Sequence, residues 1–223
     1  MKRTIRSQSD LVSLVQEWGF LPLFQNDISG FSVEEHTAPE IWFTGDVDGP
    51  WEWKGPVIQQ TGCAYGKFFC KKAGFISSEW YPDFVNYRRD GYDFDARYED
   101  GLAPHQDKIV YDILDQHDSL LSKELKRLGE FKKGGRKGFE AIITRLQMRG
   151  YVTTMDFQYQ RDKYGRPYGW GVARYVTPEH YWGDAFVDRV YQRTPEESKD
   201  RILSHLATLF PHSDGCQLEK MIG

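Results

Sequence analysis

The most constraining feature of this chain is the order of periodic segments after residue 103. Pro104 opens a helical pattern with apolar Ile109, Ile113 and Leu114 on one side. A second short helix follows over Ser119–Leu128, with hydroxyl caps before it and Gly129 after it. The loop Phe131-Lys132-Lys133-Gly134-Gly135-Arg136 leads into a third helix predicted over Lys137–Arg149, with Phe139, Ile142, Ile143 and Leu146 on its inner face. Two strand-like runs, Tyr151–Tyr159 and Tyr168–Val176, are joined by a turn containing Gly165 and Pro167.

Three helices and a two-stranded wing are the element order of a winged helix-turn-helix. The expected fold is therefore α+β, with a winged helix-turn-helix in the C-terminal half and an aromatic-rich α/β N-terminal half packed on it. Three regions are expected: 1–101, aromatic-rich with a short hairpin; 102–176, the winged helix; and 177–223, C-terminal helices packed on the rest.

In the first region a helix is expected through Leu11, Leu14, Val15 and Trp18, capped by Ser9 or Asp10 and stopped by Gly19. Phe20–Pro56 reads as loops with short helical turns, rich in Pro, Gly and aromatics. Ala64–Phe69 and Ala73–Ile76 read as a hairpin, with a helix around Ser78–Tyr87, and Asp90–Gly101 as a joining loop. Thr177-Pro178-Glu179-His180 opens a short turn or helix. Thr194-Pro195-Glu196-Glu197 is a strong start signal for another, buried through Ile202, Leu203, Leu206 and Leu209.

Charge is unevenly spread. The 29 Lys/Arg and 33 Asp/Glu give a net of -4, which argues against a simple nucleic-acid-coating protein. Residues 123–174 nevertheless hold 13 basic and 5 acidic side chains, a net of +8, while the other 171 residues carry -12. Lys132, Lys133, Arg136 and Lys137 lie at and just before the third helix, whose free N–H groups add to their attraction for phosphate. Arg161, Lys163 and Arg166 sit at the wing tip, in reach of an adjacent backbone in such a fold. The competing reading is a solvated charged loop. On the third helix Lys137, Ala141, Thr144, Arg145 and Met148 should face outward, and only Arg145 suits a bidentate contact with guanine. Backbone and shape recognition is therefore expected over base reading, unless Ala141 and Met148 mark a second buried side against the N-terminal half.

A second constellation, in the N-terminal half, combines Glu34-Glu35-His36, Trp42, Trp51-Glu52-Trp53 and Asp93–Arg97. Rings that stack an unstacked base beside a carboxylate that positions water are what a base-handling pocket needs. Glu35 and Glu52 are the candidate catalytic groups, Trp51 and Trp53 the candidate stacking rings. An aromatic core with a carboxylate rim would give the same composition. Three cysteines at wide spacing fit free thiols, and the six histidines form no ligand-spaced set, so neither a metal nor another cofactor is expected. With a mean hydropathy of -0.64 and no apolar run of membrane length, a soluble chain is expected. The basic N-terminus lacks a following apolar stretch, so no secretory signal is expected and residence is expected to be cytoplasmic.

Several strings carry a resemblance: Gly19-Phe20-Leu21-Pro22-Leu23-Phe24, Gly30–Thr37, Pro50-Trp51-Glu52-Trp53, Ala64–Phe69, Lys72–Ser77 and Asn86–Asp95. Through them nearly the whole chain resembles a group of short proteins related to the AlkZ (YcaQ-like) winged-helix DNA glycosylases. The resemblance implies a scaffold of winged-helix units that binds duplex DNA and, in the wider family, excises alkylated or crosslinked bases without a metal. That family's catalytic signature is Gln-x-Asp or Gln-x-Gln. Gln158-Tyr159-Gln160 matches the letters but stands on the first wing strand rather than in the N-terminal part of a longer chain, so the role is not carried over. Three functions are thus expected as alternatives: a protein binding duplex DNA by backbone and shape, a DNA glycosylase, and a non-enzymatic protein interaction module.

Overall fold

The computed structural model describes residues 4–44, 47–165 and 167–223. In chain order its elements are α1 (Gln8–Trp18), β1 (Phe20–Pro22), α2 (Val33–His36), a 3-10 turn (Pro39–Ile41), α3 (Pro50–Thr61), β2 (Ala64–Phe69), β3 (Lys72–Ile76), α4 (Tyr81–Arg89) and α5 (Phe94–Glu99). Then come α6 (His105–Asp115), β4 (Leu120–Leu121), α7 (Ser122–Leu128), α8 (Phe139–Met148), β5 (Thr153–Arg161) and β6 (Pro167–Val176). Four helices complete it: α9 (Pro178–Trp182), α10 (Asp184–Val190), α11 (Pro195–Leu209) and α12 (Gly215–Ile222). Helices and two small antiparallel sheets make an α+β fold, with strand orders β1-β3-β2 and β4-β6-β5.

The first sheet is covered on both faces, so its strands show no polar alternation. Successive residues go to opposite sides of a strand. Phe20, Ala64, Phe68 and Ile76 enter a cluster with α4, α10, α11 and α12. Leu21, Tyr65 and Phe75 enter another with α1 and α3. A third cluster gathers Phe94, Val110, Leu114, Leu120, Leu125, Phe139, Ile142, Ile143 and Leu146, from α5 to α8 and β4. The C-terminal helices thus pack mainly on the N-terminal half, with Ile202 and Leu206 of α11 beside Phe84 and Val85 of α4.

β2 is an edge strand, and the second sheet closes it with side chains. The Thr153 hydroxyl accepts from Tyr65 N at 3.1 Å and donates to Tyr65 O at 3.2 Å, while Lys67 N donates to Gln147 Oε1 at 3.1 Å. Backbone groups that would otherwise invite another strand are satisfied within the chain.

Several expectations need correction. α1 is capped by Ser7, and Asp10 is its N3 residue in a capping box, because Asp10 Oδ2 accepts from Ser7 N at 2.9 Å. Part of the predicted 20–56 loop is regular: β1 pairs with β3, and α3 begins at Pro50 and continues through Pro56. An interior proline removes one helix hydrogen bond, and the burial of Val57 and Ile58 offsets that loss. The acidic joining loop contains α5, capped by the Asp93 side chain on Ala96 N at 2.8 Å. Ser119 lies outside any helix; Leu120 and Leu121 pair with Tyr175 and Arg174 as β4. α8 starts at Phe139, since Gly138 sits at φ 83, a left-handed conformation that no α-helix interior accepts. The expected antiparallel hairpin is present as β5 and β6, with Gly165 at φ 80 in its turn, and so are the Thr194 cap and capping box of α11.

Candidate nucleic-acid interface and the cleft beside it

The basic residues between α7 and α8 stand on a tightly folded loop. Glu130 takes a left-handed φ of 57, and its carbonyl accepts from Lys132 N at 3.0 Å and Arg136 N at 3.1 Å. Phe131 anchors the loop against Phe139, with ring centroids 5.2 Å apart. Arg136 is part of the scaffold: its guanidinium donates to Gly129 O at 3.0 Å and lies 3.5 Å from the Glu130 carboxylate. Lys132, Lys133 and Lys137 are exposed and have no carboxylate within ion-pair distance among the described residues. At the tip of the β5–β6 hairpin Arg161 and Lys163 are exposed, and Arg161 donates to Gly165 O across the turn at 2.7 Å. Arg166 lies outside the described residues.

Several polar residues of α8 are engaged within the protein, although Ala141 and Arg145 on its outward side are exposed. Thr144 receives a hydrogen bond from Lys67 Nζ at 3.3 Å, and Gln147 bridges Lys67 N and Thr154. Arg145 makes two hydrogen bonds to the buried carboxylate of Asp107 on α6, one at 3.0 Å from Nε and one at 2.5 Å from Nη2. That pairing holds the Arg145 pKa above its ordinary value, chiefly through the hydrogen bond to Asp107. Ala141 and Arg145 remain exposed, while Gln147 is buried against β2, so the helix has one open and one occupied flank. The segment reads as amphipathic from sequence; that its polar residues Thr144 and Gln147 satisfy an edge strand is visible only in three dimensions.

The two candidate carboxylates occupy different settings. Glu35 accepts from Gly30 N at 2.9 Å through one oxygen and from Ser32 Oγ at 2.7 Å through the other, which fixes the start of α2. Its neighbour His36 is buried, with Nε2 2.8 Å from Gly30 O and its ring edge-on to Trp18. Glu52 accepts from Gly49 N at 3.0 Å at the start of α3, and it also lines an open cleft of about 1260 Å3 between α3 and the β5–β6 hairpin. Trp51 lines the same cleft, whereas Trp53 packs on the α1–α3 cluster.

The β5–β6 hairpin contributes Asp156, Gln158, Tyr159, Arg161 and Arg174 to the same cleft. Bulges in the β5–β6 pairing between Thr154 and Asp156 and between Gln158 and Gln160 break strict alternation, so consecutive β5 residues reach one cleft. Beneath the wall lies Lys54, only 3% exposed, its ammonium 3.9 Å from the Trp51 ring centroid and donating to Trp51 O at 2.6 Å and Tyr159 Oη at 3.4 Å. Burial pulls the Lys54 pKa down to about 8, against the opposing pull of Glu52. Lys54, Asp156 and Tyr159 escaped the sequence reading. The clue to Lys54 is a lone lysine on the apolar side of a helix otherwise interrupted by proline.

Among the described residues no cluster of three or more His, Cys, Asp or Glu side chains is placed to hold a metal ion, and no helix is long and apolar enough to cross a membrane. The molecule is a mixed helix-and-sheet protein with a basic loop, a basic hairpin tip and an aromatic, carboxylate-bearing cleft at the hairpin's base. The sequence model described as "AlkZ related" matches residues 5–223, and the chain belongs to that family. No curated protein and no solved structure matches it.

Proposed function

We propose that this protein binds duplex DNA through a winged helix formed by residues 102–176, mainly by contacts to the phosphate backbone. The observation that carries the reading is the order α6, β4, α7, α8, β5, β6 with a β4-β6-β5 sheet, inside a chain of a family linked to DNA repair. Exposed Lys132, Lys133 and Lys137 before α8, with Arg161 and Lys163 on the hairpin tip, supply the charge. Base reading has little support, because Arg145 is held by Asp107 and Thr144 by Lys67.

Fluorescence anisotropy with duplex DNA across a salt series tests this. Four to five phosphate contacts give a log-log slope of roughly -4. Replacing Lys132, Lys133 and Lys137 together by Ala should flatten it by about 3 units and weaken all sequences alike. Arg136 is left in place in that variant, since it braces the loop. A wild-type protein that fails to bind at low salt ends the proposal.

A second reading is excision of a damaged base, supported by the cleft in which Glu52 and Asp156 stand with Trp51, Gln158 and Tyr159. In it an extruded base lies against the aromatic side of the cleft, where Phe43 and the Lys54 ammonium already pack on the Trp51 ring, and Glu52 or Asp156 orients the attacking water. Glu35 has no part in it, as both its oxygens hold the α2 turn. The assay is formation of abasic sites in duplexes carrying alkylated purines, for wild type, Glu52→Gln and Asp156→Asn. Abasic sites at the spontaneous rate remove this reading for those lesions and leave DNA binding untouched.

A further inference from the structure

A second cavity, of about 1000 Å3, lies on the other side of α8, between α4, α5, the segment leading into α6, and the start of α11. Six cationic side chains line it against the side-chain carboxylates of Asp90, Asp107 and Glu196, with Gly223 beside them. Two of the cations are already neutralised, Arg145 by Asp107 and Lys199 by Glu219. Arg88, Arg97 and Arg149 are not: no carboxylate lies within 4.0 Å of any of them among the described residues.

These three guanidinium groups come from three different elements, α4, α5 and the C-terminal cap of α8. Backbone carbonyls aim them. Arg88 donates to Met148 O at 2.6 Å and Ile222 O at 3.0 Å, Arg97 to Arg89 O at 3.2 Å and Arg149 to Arg88 O at 3.2 Å. Each guanidinium has five N–H donors, so most remain available after these bonds. Arg88 and Arg97 are buried, at 8% and 9% exposure. Arg149 is the neighbour whose charge each of them meets, and at that burial water screens the repulsion poorly.

The same surroundings lower the proton affinities of Arg88 and Arg149. Burial and then the neighbouring Arg149 bring Arg88 down to about 10, and burial and then Arg97 lower Arg149. Arginines stay protonated at neutral pH, so the strain is borne as positive potential in the cavity. A buried cation cluster that the chain's own carboxylates leave uncompensated is stabilised by an external anion.

We propose that this cavity is a phosphate-binding site in which Arg88, Arg97 and Arg149 hold the oxyanion. Donors converging from three elements suit a tetrahedral phosphate, whereas a planar carboxylate is matched by a single arginine fork. Tyr87, Phe94, Leu102, Leu146 and Pro195 also line the cavity and give apolar surface for the organic group that carries the phosphate. The site would be filled by a phosphorylated small molecule of nucleotide size or by the terminal phosphate of a nucleic-acid strand. It uses none of the loop or wing residues invoked for duplex binding, so it stands or falls separately from that reading.

Isothermal titration calorimetry of the full chain with pyrophosphate is the direct test. Saturable binding at one site is expected, weakened at least tenfold in Arg149→Gln, an exposed position whose loss should leave folding intact, and more mildly in Lys71→Gln. Lys132→Gln and Lys133→Gln together should leave it unchanged. A deoxynucleoside monophosphate, and short duplexes with 5′-phosphate or 5′-hydroxyl ends, then separate the two sources. Binding of the mononucleotide with no preference between the duplexes supports a small molecule, and a preference for the phosphorylated end supports a nucleic-acid terminus. Absence of saturable pyrophosphate binding overturns the proposal, as does wild-type affinity in a folded Arg149→Gln variant.

Discussion

Arg89 at the end of α4 and Glu179 in α9, 90 residues apart, form an ion pair with 2.6 Å between Nη1 and Oε1. The arginine side chain is 2% exposed. It also donates to Gly150 O at 2.8 Å and lies over the Tyr151 ring, so one side chain ties the N-terminal half, the α8–β5 turn and the C-terminal helices together. The pairing is single-pronged: Arg89 Nε and Glu179 Oε2 are buried without a hydrogen-bond partner in the protein. Such a pair offsets its own desolvation incompletely, yet losing one member leaves the other stranded.

Glu179→Ala is therefore expected to destabilise the fold by about 3 to 5 kcal/mol, because Arg89 is left buried without its counter-charge. Urea denaturation followed by tryptophan fluorescence measures it. A loss below about 1 kcal/mol would mean that the pair is not the tie described here.

Arg145→Ala should cost about 2 kcal/mol, since it leaves the Asp107 carboxylate, 6% exposed, without its partner. If Arg145 serves Asp107 rather than a base, the variant weakens binding to unrelated duplex sequences by equal factors. A selective loss at sites containing guanine would reverse that assignment.

Lys54 gives a pH dependence whose sign follows from its lowered pKa. Below pH 8 the ammonium is charged in both folded and unfolded chains, and the burial penalty is complete. Above the ordinary lysine value of 10.5 it is neutral in both, and the penalty is gone. The stability of wild type relative to Lys54→Met should thus rise by about 3 kcal/mol between pH 7 and pH 10.5. Paired urea titrations across that range read it out, and a flat difference would mean that Lys54 is hydrated.

The three thiols should separate by environment. Burial pushes the Cys63 thiol up to about 12, while Cys70 and Cys216 are exposed. A disulfide-exchange reagent at pH 8 should titrate two thiols in native protein and a third only in denaturant. Three rapid equivalents without denaturant would place Cys63 at the surface.

What was legible in sequence was whatever local chemistry decides. The Thr194 cap, the glycine stop of α1, the β2–β3 pair and the β5–β6 hairpin all follow from the residues inside each element. Where a residue's conformation depended on a distant partner, local reading fell short. α3 runs through Pro56 because its inner residues are buried against α1, and β1 is a strand only because β3 runs beside it. The positive charge of residues 123–174 is a property of the sequence; its division among Asp107, Glu140, Glu130 and solvent was settled by packing. The same holds for both cavities. Glu52 and Asp156 are 104 positions apart, and Arg88, Arg97 and Arg149 lie on three elements, so no spacing rule joins them. Backbone preference acts over a few residues, whereas the free energy of burying charge depends on which surfaces finally meet, and only the tertiary structure brings those surfaces together.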